Sequence, residues 1–466
     1  MRFHPTLKMV GVVAGVGIPV LLWFLPLGIP PAAQHALAIA VFTIIFWIVQ
    51  PIEHALTGLI ACFLFFALKV VPVGTAFWGF SQKTTWFLFG AILIGVSAQH
   101  SGLGTRIATR ILGAVGTSYS RILLGFILVD FALTFLVPSG IARVTILASI
   151  AIVVVQAFGE KRGSNIGRGL FIMLTYTATI FDKMIIAGAA SITARGSIET
   201  FGHVKVYWLD WFVAFLPCDL LTILVCWWFI PRLFPPESRT LPGNRNVLRD
   251  RARQLGPMTG VERRAAFWIG LAILLWVTDR WTGIDAALVG LGTGLALTLP
   301  RVGVLSIEEV KKVNWLPMFF VAAALTVGHV WSETGALDLL TGVLFSWLDP
   351  LVTGTFSSTI FLYWFAFLYH IVIGDEVSML STSIPPLMEY ALARGFNPLA
   401  IGMLWTFAAG GKLFVYQSAP LIVGYSYGYF DTRDMLRVGL LLTVIESIIL
   451  LLVVPVYWPL IGLRLR

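Results

Sequence analysis

The stretch LFIMLTYTATIFDKMIIAGAASI (residues 170–192) decides the fold, because it is apolar enough to cross a membrane yet carries Asp182 and Lys183 near its middle. The stretch AAGGKLFVYQSAP (residues 408–420) places Lys412 in a comparable setting 229 positions further along the chain. A charge at the centre of a bilayer costs about 3 kcal/mol or more. Two such charges, each near glycine, serine or proline residues that favour unwinding of a helix, predict a transport site at two broken helices.

The composition places the chain in the membrane class. Hydrophobic residues make up 58% of the 466 residues, 12% are charged, and the mean hydropathy is +0.89, whereas a soluble domain carries roughly 25% charged residues. The long apolar runs predict an all-α membrane protein with about eleven transmembrane helices. Residues 1–35 are expected to hold the first of them, because the apolar run there is too long for a cleaved signal peptide.

Positive charge is concentrated in one polar stretch, residues 231–264, which contains eight arginines, among them Arg245. A short arginine-rich loop between apolar segments marks the cytoplasmic side of a membrane. Together with Arg2 and Lys8, it predicts a multi-pass protein of the cell inner membrane with its N-terminus in the cytoplasm and its C-terminus outside. The net charge of +9 is therefore explained by basic residues on the cytoplasmic side of the lipid bilayer, and no nucleic-acid partner is expected.

Few residues suggest metal or catalytic chemistry. Cys62, Cys218 and Cys226 lie in apolar runs without metal-ligand spacing, and the seven histidines form no paired pattern. We therefore expect no metal site, no cofactor and no catalytic residues. A membrane enzyme or a passive channel is less favoured, because the chain shows no nucleophile motif and no soluble domain beyond the arginine-rich loop.

Two related halves flank the arginine-rich loop. WFLFGAILIG (residues 86–95) resembles FFVAAALTVG (residues 319–328), and Gly102 and Gly335 follow at the same shift of 233 positions. An amphipathic stretch suited to the membrane interface comes next in each half. The matching order predicts two related repeats. Separately, the small residues of GLGTG (residues 290–294) predict close packing of two helices.

Each half then contains an interrupted apolar segment with arms of about 15 residues, too short for a comfortable crossing. Such a segment is predicted to form a re-entrant helical hairpin whose tip is enclosed by protein near the middle of the membrane. A broken helix follows it. The predicted order is a first repeat (36–230) with a hairpin at 119–160 and a broken helix at 170–192, then a second repeat (265–466) with a hairpin at 354–391 and a broken helix at 398–425.

The chain resembles the divalent anion/sodium symporters, which carry dicarboxylates, citrate or sulfate. The likeness includes VQPIEHALT (residues 49–57), SIEEVKKVNW (residues 306–315) and GYFDTRDML (residues 428–436), and it extends over most of the chain. It implies two inverted repeats, each with a hairpin and a broken helix, and a homodimer. It also implies that substrate and sodium are held at the hairpin tips and the broken helices.

The resemblance locates the candidate site, although the motifs are altered. Family members carry Ser-Asn-Thr at each hairpin tip and Thr-Pro-Pro-Asn in the broken helices. This chain has Pro138 and then SGI (139–141) at the first tip, DEV or EVS (375–378) at the second, and AASI (189–192) and SAPL (418–421) in the helices. The residues implied to bind substrate are Ser139, Gly140, Ile141, Arg143, Glu376, Val377, Ser378, Ser418, Ala419 and Pro420. The residues assigned to charge or coupling are Asp182, Lys183, Asp375 and Lys412.

The altered motifs suggest a different source of positive charge. Sodium needs several oxygen ligands, and Gly140 and Ile141 remove side-chain oxygens from the first tip. We hypothesise that Lys183 and Lys412 replace two sodium ions, so that transport is independent of sodium and proceeds by exchange or by coupling to protons. The alternative for both lysines is a structural ion pair or a position at the membrane interface.

Other charged side chains leave two interpretations open. Asp375 or Glu376 can pair with Lys412 or lie in an exposed turn, and Arg143 can hold a substrate carboxylate or sulfonate or cap its hairpin. Asp182 is not expected to pair with Lys183 unless the helix breaks there, since successive helical residues do not face each other. Three further acidic residues in apolar runs have no nameable partner and are expected to bond to neighbouring helices: Asp130, Asp219 and Glu446.

These features favour a secondary active transporter of a small organic anion, a di- or tricarboxylate or a related sulfonate, working by alternating access. Helix N-termini at the broken elements would offer positive potential to the anion. A carrier of the same fold for a zwitterion or amine, or a sodium-coupled symporter, is the alternative.

Overall fold

A computed structural model describes residues 5–137, 139–242 and 247–466, so Arg2, Pro138 and Arg245 lie outside the described residues. The described chain is built from α-helices, and they are numbered α1 to α24 in chain order. Their bounds are Pro5–Phe24, Pro31–Val49, His54–Ala67, Val73–Ala76, Lys83–His100, Leu103–Ala114, Tyr119–Leu136, Gly140–Ala157, Asn165–Met184, Ala189–Gly202, Trp208–Leu233, Val247–Arg253, Gly260–Val277, Asp279–Thr282, Ala286–Ala296, Ile307–Lys311, Leu316–Thr334, Ala336–Phe345, Thr355–Ile373, Glu376–Ala393, Pro398–Ala408, Ala419–Ser426, Thr432–Leu452 and Trp458–Leu460.

Many of these helices suit a bilayer. Within the described ranges, 8 helical segments are long and apolar enough to cross a membrane, or 9 if the bent pair α5–α6 is one span. Shorter apolar helices, including α3, α15 and α21, accompany them. The predicted all-helical membrane fold is confirmed, whereas the number of eleven crossings remains a prediction.

The two halves bend at corresponding glycines. Helix α5 ends before Gly102, where the chain turns by 60° into α6. Helix α17 ends before Gly335, which leads into α18. Gly102 has φ 77° and Gly335 has φ 73°, a left-handed conformation that glycine adopts without steric cost. The matched glycines noted in the sequence therefore mark the same structural corner in each half.

Each predicted hairpin range contains two helices joined by a very short turn. The arms α7 and α8 have 18 residues each, and α19 and α20 have 19 and 18, so they are longer than the arms expected from the sequence. Ser139 begins α8 by accepting a hydrogen bond from the backbone of Ala142, and Asp375 begins α20 by accepting from Val377 and Ser378. Gly374, with φ 84°, makes the second turn possible.

Each range that is predicted to be a broken helix contains two helices separated by a short stretch outside them. The first consists of α9 and α10, separated by residues 185–188, and the second of α21 and α22, separated by residues 409–418. The contacts cross between the halves, because α22 packs against α8 of the first hairpin and α10 packs against α20 of the second. This reciprocal packing brings both hairpin tips and both breaks together.

The small residues of the GLGTG stretch pack as predicted. They lie on α15, which packs against α5. A Cβ atom added at Gly90 of α5 would overlap the carbonyl of Gly290, and one added at Gly294 would lie 2.6 Å from the Cα of Gly90. The two backbones are therefore in direct contact.

Gly90→Ala is expected to lower the free energy of unfolding by about 1–3 kcal/mol, the usual cost of overpacking, because backbone atoms cannot rotate away. Gly292→Ala is the matched control on α15, since an added Cβ there meets nothing within 4 Å. Thermal unfolding of both variants in detergent micelles measures the difference. Equal midpoints would contradict the close contact.

Candidate functional site

A cavity of about 490 Å³ lies where the hairpin tips and the helix breaks meet. One wall consists of residues of the two tips and the two breaks. The opposite wall comes from α5, from the segment 313–320 and from residues 53 and 54. The polar residues that line the cavity are Glu53, His54, Gln99, Ser139, Asp182, Asn314, Asp375, Glu376 and Ser418.

Four helix N-termini point to this one space. The residues directly preceding α8, α10, α20 and α22 all line the cavity, and they are Ser139, Gly188, Asp375 and Ser418. Each helix N-terminus carries unpaired N–H groups and roughly half a positive charge. Such ends bind anions. These helix ends offset part of the negative charge of the four carboxylates that line the cavity, since no lysine or arginine joins the lining within the described part of the chain.

The four N-termini differ in how their N–H groups are used. The carboxylate of Asp375 accepts from the backbone N–H groups of Val377 and Ser378, both at 3.0 Å, and Ser139 accepts from Ala142 at 3.4 Å. No side chain caps α10 or α22. An anion in the cavity would therefore find the best donors at the start of α10, and fewer at the start of α22, because Pro420 has no N–H group.

The first hairpin tip touches the second broken helix. A Cβ atom added at Gly140 would lie 2.6 Å from Cγ of Pro420 and 3.4 Å from a carboxylate oxygen of Asp182. Glycine is needed here because a larger residue would displace the tip from the helix. The family motif has asparagine where this chain has Gly140. The close approach of Pro420 explains why no side chain is present at this position.

Arg143 lies behind the tip. Its side chain is 1% exposed, and it does not line the cavity. Its guanidinium donates to Asp130 Oδ1 at 3.0 Å, to Asp182 Oδ1 at 3.4 Å and to the carbonyl oxygens of Val137 and Ala178 at 3.2 and 2.7 Å. These bonds join both arms of the first hairpin to α9. The geometry matches the capping interpretation, and it gives Asp130 the partner that sequence reasoning could not name.

Lys412 pairs with one of its two candidate partners. Its Nζ lies 2.9 Å from Glu376 Oε2, and both side chains are buried. Glu376 also lines the cavity, and its Oε1 has no hydrogen-bond partner among the described residues. Asp375 instead caps α20. Because Glu376 is only 6% exposed, the second tip lies inside the protein. The re-entrant course of the hairpin remains a prediction, since the arm α19 is long and apolar enough to cross a membrane.

Lys183 is fully buried in a different group of side chains. Its Nζ forms an ion pair with Glu446 Oε1, lies 3.7 Å from Asp219 Oδ1 and donates to the carbonyl of Phe407 at 2.8 Å. Asp182 turns the other way, towards Arg143, as expected for successive helical residues. Asp219 and Glu446 were visible as acidic residues in apolar runs, but partners 36 and 263 positions from Lys183 were not predictable from the sequence.

The structure separates the candidate residues into two layers. Those that line the cavity are Ser139, Gly140, Ile141, Asp182, Asp375, Glu376, Val377, Ser418, Ala419 and Pro420. The others lie behind this lining: Arg143, Lys183, Ser378 and Lys412. Sequence reasoning missed the opposite wall. Glu53, His54 and Asn314 lie within the stretches that resemble the symporters, so the resemblance could have identified them. No feature of the sequence indicated Gln99.

Comparison with known proteins agrees with this architecture. The citrate/succinate antiporter of Escherichia coli K12 is 25% identical over 474 residues, which cover 94% of each chain. The L-tartrate/succinate antiporter of the same strain is 24% identical over 404 residues, covering 83% of this chain and 80% of that protein. The solved structure of Neisseria gonorrhoeae MtrF, described as illuminating a class of antimetabolite efflux pumps, has a similar fold, with a TM-score of 0.55 and 11% identity over 97% of this chain and 94% of that one. The family described as the sodium:sulfate symporter transmembrane region matches residues 6–464, and this chain therefore belongs to that family of membrane transporters.

Proposed function

We propose that this protein is a secondary active carrier of a small organic anion, a di- or tricarboxylate or a related sulfonate. The observation that carries the proposal is the convergence of four helix N-termini on one cavity, with uncapped N–H groups at α10 and α22. Lys412 and Arg143 offset the carboxylates of Glu376 and Asp182 from behind the lining, so the helix N–H groups are available to an anion. The citrate/succinate and tartrate/succinate relatives support the same class of substrate.

Transport by alternating access follows from where the cavity lies. Its two walls belong to different groups of helices, the tips and breaks on one side and α5 with the segment 313–320 on the other. A movement of the first group against the second would expose the bound anion to one side of the membrane and then to the other. Closing the cavity around the anion also excludes water and strengthens its interaction with the helix ends.

We further propose that the carrier works without sodium. Among residues 139–141 only Ser139 offers a side-chain oxygen, and it already accepts from Ala142. The tip itself therefore supplies few ligands for a hard cation, and the nearby Asp182 carboxylate accepts from Arg143. Lys412 lies directly behind the cavity wall and compensates Glu376. Lys183 places a second ammonium in the last turn of α9, where it is paired with Glu446.

The test is uptake of labelled citrate into proteoliposomes that contain unlabelled citrate or succinate. We expect trans-stimulated uptake of equal rate in sodium chloride and choline chloride. Uptake without trans-stimulation would indicate a channel, and strict dependence on sodium would overturn the proposed coupling. Empty liposomes and liposomes with heat-inactivated protein are the controls.

A second candidate function is transport of a zwitterion or an amine. Among the described residues, the charged side chains that line the cavity are Glu53, Asp182, Asp375 and Glu376, and no lysine or arginine joins them. A substrate ammonium could bond to the free oxygen of Glu376. Uptake separates the candidates, since an anion carrier should take up labelled citrate and be inhibited by succinate, whereas a zwitterion carrier should take up labelled taurine.

We also propose the quaternary and membrane arrangement that the sequence suggested. The family resemblance supports a homodimer with two inverted repeats. The arginine-rich loop supports a position in the inner membrane with the N-terminus in the cytoplasm and the C-terminus outside. Cross-linking in intact membranes and labelling of single cysteines from either side of the membrane would test these points.

A further inference from the structure

Asp219 is a buried carboxylate without a hydrogen-bond partner. It lies on α11, its side chain is fully buried, and neither of its oxygens accepts a hydrogen bond within the part of the chain that the structure describes. The nearest positive group is Lys183 Nζ, at 3.7 Å. An ionised carboxylate in this setting would be strongly disfavoured, because nothing replaces the water that it loses.

The neighbouring carboxylate is fully satisfied. Glu446 on α23 holds the Lys183 ammonium with Oε1 and accepts from the hydroxyl of Tyr363 with Oε2, at 2.9 Å. Oxygen atoms of Asp219 and Glu446 lie within 4.8 Å of each other. Lys183 therefore compensates Glu446, and a second negative charge on Asp219 would be left unpaired.

The groups around Asp219 supply no further positive charge in direct contact. The titratable and charged side chains that face it come from five places in the fold: Cys218 on its own helix, Lys183 on α9, Glu446 on α23, Tyr363 on α19 and, further away, Lys412 in the second break. Lys412 is already paired with Glu376. With one ammonium and two carboxylates in contact, the group is electrically neutral only if it holds one proton.

The same group joins the two helix breaks. Lys183 lies in the last turn of α9, its own carbonyl accepts from the indole of Trp211 on α11 at 2.9 Å, and its Nζ bonds to the carbonyl of Phe407 at the end of α21. Its neighbour Asp182 lines the cavity. A rearrangement of either break would therefore move Lys183 relative to Asp219 and Glu446.

We propose that Asp219, Lys183 and Glu446 form a proton-binding site, separate from the anion cavity, in which Asp219 carries the proton. While the group is closed, Asp219 is a neutral carboxylic acid and Lys183 neutralises Glu446. When movement of a break separates Lys183 from Glu446 and admits water, the Asp219 O–H bond breaks and the proton passes to that water. Of the experiments on this site, only the measurement of citrate uptake depends on the proposed carrier function.

Infrared spectroscopy of the purified full-length protein tests the proton directly. The stretching band of a protonated carboxyl group should be present at neutral pH in the wild type and absent in Asp219→Asn. Asp210→Asn is the matched control on the same helix, because Asp210 is partly exposed and pairs with Arg280 at the surface. That variant should keep the band.

Glu446→Gln is the sharper variant, because it leaves Asp219 in place. Removing the charge of Glu446 allows Lys183 to neutralise Asp219 as a carboxylate, so the group no longer needs a proton and the band should disappear. A purely structural role of Glu446 predicts an unchanged band. Persistence of the band in Glu446→Gln, or its absence from the wild type, overturns the proposal, and the wild-type measurement decides even if a variant fails to fold.

Proteoliposomes test the coupling. An imposed proton gradient should change the rate of labelled citrate uptake several-fold in the wild type and in Asp210→Asn, but leave it unchanged in Asp219→Asn. An equal response of all three proteins overturns the coupling. If the wild type carries neither citrate nor succinate, the proposed function fails while the infrared result still decides the proton site.

Discussion

Replacing Lys412 with methionine is expected to lower the free energy of unfolding by about 3–5 kcal/mol, because the substitution leaves the buried carboxylate of Glu376 without its partner. The Lys412 side chain is fully buried, and Glu376 is 8% exposed at its side chain. Thermal unfolding in detergent micelles and uptake of labelled citrate would show a strong loss of both stability and transport.

Two comparison variants separate charge from packing. Lys311→Met breaks an ion pair of similar length, 2.8 Å between Lys311 Nζ and Glu308 Oε1, but both side chains are more than 60% exposed, so a loss of about 1 kcal/mol or less is expected. The double variant Lys412→Met/Glu376→Gln removes both charges and should regain most of the stability. A single variant as stable as the wild type would contradict the buried pair.

Arg143→Met is expected to have a comparably large effect, about 3–5 kcal/mol, since it leaves Asp130 buried and unpaired. It also removes the bonds that hold the first hairpin to α9, including the one to the carbonyl of Ala178. The hairpin tip should then lose its fixed position beside the cavity. Unfolding midpoints and limited proteolysis near the tip would measure these changes.

The result would also decide between the two interpretations of Arg143. A capping role predicts that Arg143→Met/Asp130→Asn recovers stability and that Arg143→Lys recovers part of it, because lysine keeps the charge but not the planar fork of donors. A role in substrate binding predicts a stable Arg143→Met protein with weakened inhibition of uptake by succinate. That second pattern would contradict the geometry of the hairpin.

Much of the architecture could be inferred from local patterns. Long apolar runs predict membrane helices because the bilayer requires them, and the matched positions of Gly102 and Gly335 predict a repeat. The left-handed backbone conformation of both glycines became visible only in the structure. The hairpin tips and helix breaks were likewise predictable from interrupted hydrophobicity. The length of the hairpin arms was not predictable, since the sequence around Ile141 is compatible with either a loop or a helix.

The arrangement of charges shows the limit of such patterns. The sequence places Lys183 and Lys412 in apolar stretches, and it predicts that a lysine buried there needs a compensating group, because a charge in hydrocarbon is costly. Only the tertiary structure decided the partners, since Glu446 is 263 positions from Lys183 and meets it through the packing of α9 against α11 and α11 against α23. Ion pairing depends on the distance between two side chains in space. The order of residues along the chain does not give that distance, because it depends on how the helices pack.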